Sequence, residues 1–143
     1  MVSRVDFYIL KASGDLARQQ FACRLAEKAY RLDNRVHIHV ANRDDVQKMD
    51  DLLWTFRDGS FVPHEVFGLS ADNPPAPVTI GCEDIPSAKC DLLINLGDAV
   101  PATVSSFPRV AEVVTSDDEC KARSRQRFVE YRDQGHTLET HNL

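Results

Sequence analysis

An α/β fold, with a mostly parallel sheet covered by helices on both faces, is what the sequence predicts, and three observations predict it. Short runs such as Val5 to Leu10, Val36 to Val40 and Asp91 to Asn95 are almost continuously apolar, as strands buried on both faces are. Segments with helical spacing of apolar residues stand between such runs, so strands and helices alternate. Small polar residues precede the helical segments, where they can accept the unpaired N–H groups of a first turn.

Taken in order, Val5 to Leu10 is the first strand, and Ser13-Gly14-Asp15 is a turn able to cap a helix over Leu16 to Leu32. Phe21, Leu25, Ala29 and Leu32 supply the inward face, Arg18, Arg24, Lys28 and Arg31 the others, and Asp33-Asn34 ends the helix. Val36 to Val40 is the second strand. Asn42 caps a second helix running from about Asp44 through Met49, Leu52 and Leu53 to Trp54 or Phe56. Gly59, Pro63 and the run Asn73 to Pro77 (NPPAP) break any regular pattern, so residues 57 to 77 read as a long excursion. Val78 to Ile80 and Asp91 to Asn95 are further strands, and a helical turn precedes Pro108. Val110 to Val114 reads as the last strand. Ser116-Asp117-Asp118-Glu119 then opens a final helix to Arg132, its acids at the positive end of the helix dipole. The order is that of a Rossmann-like fold, one domain over residues 1–143.

Hydrophobic residues make up 43% of the chain and charged residues 27%, enough for an independent core. The net charge of −5 disfavours general attraction to nucleic acid, so an acidic partner needs a local basic patch. Residues 1 to 10 are too short for a signal-peptide core and no stretch reaches membrane-spanning length, so a cytoplasmic protein is expected. Cys23, Cys82, Cys90 and Cys120 are scattered, without C-x-x-C spacing, and read as reduced thiols. His37 and His39 share a strand face but supply only two metal ligands, so neither metal nor cofactor is expected.

Catalytic signatures are missing where this fold would carry them. The first strand-to-helix turn, Lys11-Ala12-Ser13-Gly14-Asp15, has one glycine where a dinucleotide fingerprint needs three, and Asp15 would repel phosphate. There is no G-x-x-x-x-G-K-[ST] and no G-x-S-x-G; Ser60 has only His64 nearby. Asp44-Asp45, Asp50-Asp51 and Asp117-Asp118 fit helix starts and exposed faces. A nucleotide-dependent enzyme would have to use Ser13, Asn42 and Asp98 at the strand ends.

Two surfaces suit docking instead. Lys121, Arg125, Phe128 and Arg132 lie along one stripe of the final helix, beside a neighbouring stripe of Cys120, Ser124, Arg127 and Tyr131. Cations around an aromatic ring can clamp an acidic peptide, although a solvated basic face with Phe128 turned inward is the more ordinary reading of the spacing alone. Single-stranded DNA stacking on Phe128 or Tyr131 is a third reading, opposed by the acidic total charge. The second surface, Trp54 to His64, gathers Trp54, Phe56 and Phe61 at a helix end and loop, a pattern shared by core packing and protein interfaces.

With Phe7-Tyr8-Ile9-Leu10, Asp51-Leu52-Leu53-Trp54, Ser60-Phe61-Val62-Pro63-His64 and the helix Lys121 to Arg132 in this order, the sequence resembles the chi subunit family of bacterial DNA polymerase III over nearly its full length. The resemblance implies a non-catalytic clamp-loader accessory subunit. It implies binding of the acidic, Phe-terminated tail of single-stranded-DNA-binding protein by Val114, Lys121, Arg125 and Phe128, with Arg132 a spatially plausible addition. It also implies that Trp54 and Phe61 face the psi subunit or a competing repair helicase. Phe128 replaces a familiar tyrosine, Val129 stands where a lysine can occur, and Thr115-Ser116 replaces a Pro-Tyr pair, so the slot differs in detail.

Overall fold

The computed structural model describes residues 3–56, 59, 62–67, 76–82, 90–97, 99–101 and 104–143. The elements are β1 (Arg4–Ile9), α1 (Asp15–Arg31), β2 (Val36–His39), α2 (Arg43–Thr55), β3 (His64–Val66), β4 (Val78–Gly81), β5 (Leu92–Asn95), a 3-10 turn (Val104–Ser106), β6 (Arg109–Val114), α3 (Asp118–Asp133) and β7 (Thr137–Asn142). The strands form one sheet in the order β3-β4-β2-β5-β6-β1-β7. Every pairing in it is parallel.

Alternation along the strands divides the apolar residues between two layers. Ala111 and Val113 of β6 join Val36 and Ile38 of β2 beneath α1 and α2, where Ala22, Ala26, Met49 and Leu53 are buried. Val5 and Phe7 of β1 and Val110 and Val114 of β6 face the other way, toward Phe107 and Tyr131 of the α3 layer. This is the Rossmann-like arrangement expected from the alternation of elements.

Asn42 caps α2 as its position predicts, its Oδ1 accepting from Asp45 N–H at 2.9 Å. The other two helix starts differ from expectation. Gly14, at φ 92°, is the residue preceding α1, and no side chain caps that end. Only a residue without a Cβ takes this backbone conformation freely. Asp117 stands at the start of α3 without capping it, because its carboxylate reaches across to α1 instead.

Two strands escaped the sequence reading. β3 falls inside the stretch read as an excursion, and at three residues it is too short a pattern to see. β7 follows what was read as the last strand; its sequence TLETHN lacks an apolar run because an edge strand needs apolar side chains on one face at most. Of the proline stretch, Ala76 and Pro77 are described and residues 73–75 lie outside the described residues.

His37 is fully buried, with its Nδ1 2.7 Å from Thr79 Oγ1, and burial drives its pKa down to about 3. Burial lowers His39 as well, and among the described residues no three His, Cys, Asp or Glu side chains gather as a metal site. The four cysteines are free, and burial pushes the Cys23 thiol up to about 12 and Cys90 to about 11.

Candidate functional site

The site is built around α3, and α3 is held to the sheet by a polar anchor set beside the apolar contacts of Tyr131, Phe128 and Cys120. Its buried residues are Ser124, Arg127 and Tyr131. Beneath them, at the centre of β6, lies Glu112 with no exposed surface. Its Oε1 accepts from Arg127 Nε at 3.0 Å, and its Oε2 accepts from Tyr131 Oη at 2.6 Å and Asn95 Nδ2 at 2.7 Å. Arg127 Nη2 donates further to Ser124 Oγ at 3.1 Å. Burial pushes the Glu112 carboxyl above its ordinary range, while the Arg127 charge and the three hydrogen bonds pull the other way. Tyr131 is raised too, by burial first and by the Glu112 charge second. A pair this dry costs desolvation, and it tolerates only one rotation of α3 about its axis.

That rotation turns the neighbouring stripe toward β1 and β7. A recess of about 410 Å³ opens there, lined by Phe7 and Ile9 of β1, Val114 of β6, Thr140 of β7, and Lys121, Ser124, Arg125, Phe128 and Val129 of α3. Its walls are mainly apolar. The Phe128 ring leans on Phe7 with centroids 5.4 Å apart and planes at 56°, and Phe7 meets Tyr131 edge-on at 6.0 Å, so the aromatic wall continues into the core. Arg125 is exposed at the rim and Lys121 is half-buried. Among the described residues neither cation is part of an ion pair.

Four of the five residues expected to hold an acidic tail, Val114, Lys121, Arg125 and Phe128, therefore line one recess. Arg132 does not line it: a turn further along α3, it is mostly exposed with its Nε 3.8 Å from Asp133 Oδ1. Phe7, Ile9 and Thr140 were not anticipated as lining residues. Phe7 and Ile9 read as ordinary strand core, and Thr140 sits on the strand that was missed. Arg127 and Glu112 were missed as an anchor, although a glutamate in the middle of RVAEVV was a visible signal that something buried must answer it.

On the far side of the sheet, Trp54 projects from α2 with 55% of its surface exposed. Its ring lies 4.7 Å from that of His64, whose Nδ1 donates to Val62 O at 2.7 Å and whose Nε2 is 3.2 Å from Asp50 Oδ1. Phe61 and Ser60 lie outside the described residues.

A profile of the DNA polymerase III chi subunit, HolC, matches residues 2–139. The chain belongs to the DNA polymerase III chi subunit family. It is 40% identical to a DNA polymerase III subunit chi of Pseudomonas aeruginosa over 142 residues, covering 99% of this chain and 98% of the relative. It is 32% identical to the subunit chi of Haemophilus influenzae, covering 100% and 99% of the two chains. The subunit chi of Escherichia coli is 30% identical, with 97% of each chain covered.

In this chi-family chain the crevice where a Rossmann-like enzyme would hold phosphate carries a carboxylate of the chain itself. A polar cleft of about 340 Å³ runs along the other flank of α3, lined by Gly14, Asp15, Arg18, Gly97, Thr115, Asp117, Glu119, Cys120, Arg123 and Arg127. Among its lining residues the exposed Asp117 carboxylate accepts from Gly14 N–H at 2.8 Å and from Thr115 Oγ1 at 2.7 Å. Those donors hold the Asp117 carboxyl below its ordinary range. The first N–H at the start of α1, which a bound phosphate would use, is thus taken by an internal anion. Asn42 is committed to capping α2, and Asp98 lies outside the described residues. Among the described residues no helix is long and apolar enough to cross a membrane.

Proposed function

We propose that this chi-family chain is a non-catalytic, cytoplasmic adaptor of the DNA polymerase III clamp loader. One surface binds the acidic C-terminal tail of single-stranded-DNA-binding protein, and the surface around Trp54 and Phe61 binds the psi subunit or a repair helicase. The observation that carries the reading is the recess itself, an apolar slot bordered by Lys121 and Arg125 and with no acid among the described residues that line it. A terminal phenylalanine fits between Val114 and Phe128, while the cations hold its carboxylate and the acids before it. A short tail covers far less than a standard interface, so affinity on the order of micromolar is expected, raised in use by several tails acting together.

Non-catalytic action is supported by the internal carboxylate in the phosphate position, and direct DNA binding is disfavoured by the net charge of −5. The test is a titration with a fluorescent acidic peptide ending in Pro-Phe. Saturable binding that falls at least about tenfold with Arg125→Glu, and again when the terminal Phe is removed, is expected. Undiminished binding to the Arg125→Glu protein would sink the site. For the second surface, a pull-down of psi with Trp54→Ala should show loss; full retention would return Trp54 to a packing role.

A further inference from the structure

The two edges of the sheet are guarded differently. At one end β3 is only three residues long, and a short edge is itself a protection against pairing. At the other end β7 is six residues long and contains neither the proline nor the lysine that commonly shields an edge. Its ladder to β1 identifies which of its backbone groups are used. Thr137 N–H donates to Ser3 O and Leu143 N–H to Ile9 O, so in a parallel ladder the odd-numbered residues of this strand face β1. The N–H and C=O groups of Leu138, Thr140 and Asn142 therefore point outward, beyond the last strand. The side chains of these same residues lie on the α3 face, where Leu138 packs against the second core layer and Thr140 lines the apolar recess.

We propose that the acidic tail binds as an added parallel strand along this edge, its backbone paired with Leu138, Thr140 and Asn142; the inference rests on the tail-binding reading above. The arrangement of charge selects both occupant and direction. α3 runs back across the strands, so Lys121 stands near the end of the sheet where Asn142 lies, and Arg132 near the end where β7 begins. Lys121 and Arg132 are about 16 Å apart along the helix, and about five residues of extended chain span the same length. A tail running parallel to β7 brings its terminal carboxylate to Lys121 and Arg125, its last side chain into the recess, and its earlier acids to Arg132. Arg132, outside the recess, thereby becomes a contact for the upstream part of the tail. Pairing through the main chain accounts for recognition of a segment whose side chains between the acids and the terminal Phe need not be fixed.

The experiment is a scan of the acidic Pro-Phe peptide with one backbone N-methyl group at each non-proline position in turn, titrated into the full chain. Strand addition predicts an alternating profile, with affinity falling roughly tenfold where the N–H faces β7 and little at the positions between. Thr140→Pro should lower affinity comparably, because the N–H it removes is not in the β1 ladder. A flat N-methyl profile with full binding of the parent peptide overturns the strand and leaves the recess reading intact. Failure of the parent peptide to bind overturns both. A flat profile in a chain that sediments as a dimer would assign the edge to a second copy and overturn the proposal as well.

Discussion

Two recesses flank the same helix, and they differ in what their charges are doing. In the polar cleft the charges are answered from within. Asp117 is held by Gly14 and Thr115, Arg18 Nε donates to Val113 O at 3.2 Å, Arg123 Nη2 donates to Glu119 Oε1 at 2.6 Å, and Arg127 is locked to Glu112. In the apolar recess Lys121 and Arg125 border Val114, Phe128 and Phe7, and among the described residues neither has an acidic partner. A cleft whose hydrogen-bonding groups already satisfy one another gains little from a ligand. One with apolar walls, and with cations that lack an acidic partner among the described residues, would on the proposed reading gain from both ends of a Phe-terminated acid.

The largest expected effect comes from breaking the anchor that separates the two recesses. Arg127→Met strands the Glu112 carboxylate in the core and should cost about 3 to 5 kcal/mol in chemical denaturation. Adding Glu112→Leu should recover much of that loss, since a stranded charge costs more than an apolar replacement. If the single variant is as stable as the parent, the anchor is not what holds α3. Next in size is Arg125→Glu, whose tail affinity should fall about tenfold or more while stability changes by no more than about 0.5 kcal/mol, because the side chain is exposed. A comparable loss of stability would mean that the recess and the anchor are not separable.

Smaller is the effect of salt. Raising it from about 0.01 M to about 0.15 M shortens the screening length from roughly 30 Å to roughly 8 Å and should weaken the peptide several-fold without abolishing binding, since the apolar slot remains. Salt-independent affinity would remove the cations from the account. The smallest signal lies in the polar cleft: a carbon-detected NMR titration should find Asp117 ionising below the ordinary 3.8, with the Gly14 amide shifting in step. A carboxyl with a lowered folded-state pKa stabilises the fold above its unfolded value, and that contribution is lost as pH falls through the folded one. The cleft should therefore hold its structure at neutral pH and loosen only in acid. A midpoint at or above the ordinary value would show that the carboxylate does not sit on the α1 amide.

Much of the molecule is written locally. The five strands with apolar runs, the three helices and the cap at Asn42 follow from periodicity and from the need to satisfy first-turn N–H groups, both properties of residues near one another in the chain. The stripe Lys121, Arg125, Phe128 is likewise a matter of helical spacing. What spacing leaves undecided is which stripe of a helix so rich in charge faces inward. Cys120, Ser124, Arg127 and Tyr131 carry no more apolar character than their neighbours, and the choice is made by Glu112, fifteen residues earlier on a different element.

By itself, then, the sequence determined the class of fold and the single stripe of Lys121, Arg125 and Phe128 through patterns that local geometry imposes, and it carried the resemblance that led to the family. Only the tertiary structure decided that Arg127 faces inward and Arg125 outward, that Phe7 and Thr140 complete the recess, that Asp117 accepts from the Gly14 amide before α1, and that β7 is an edge of the sheet among the described residues. The physical reason is that these are pairings across long separations, such as Asp117 with Gly14 and β7 with β1. Whether a buried charge, an open edge or a turn amide is satisfied depends on which distant group the fold brings to it.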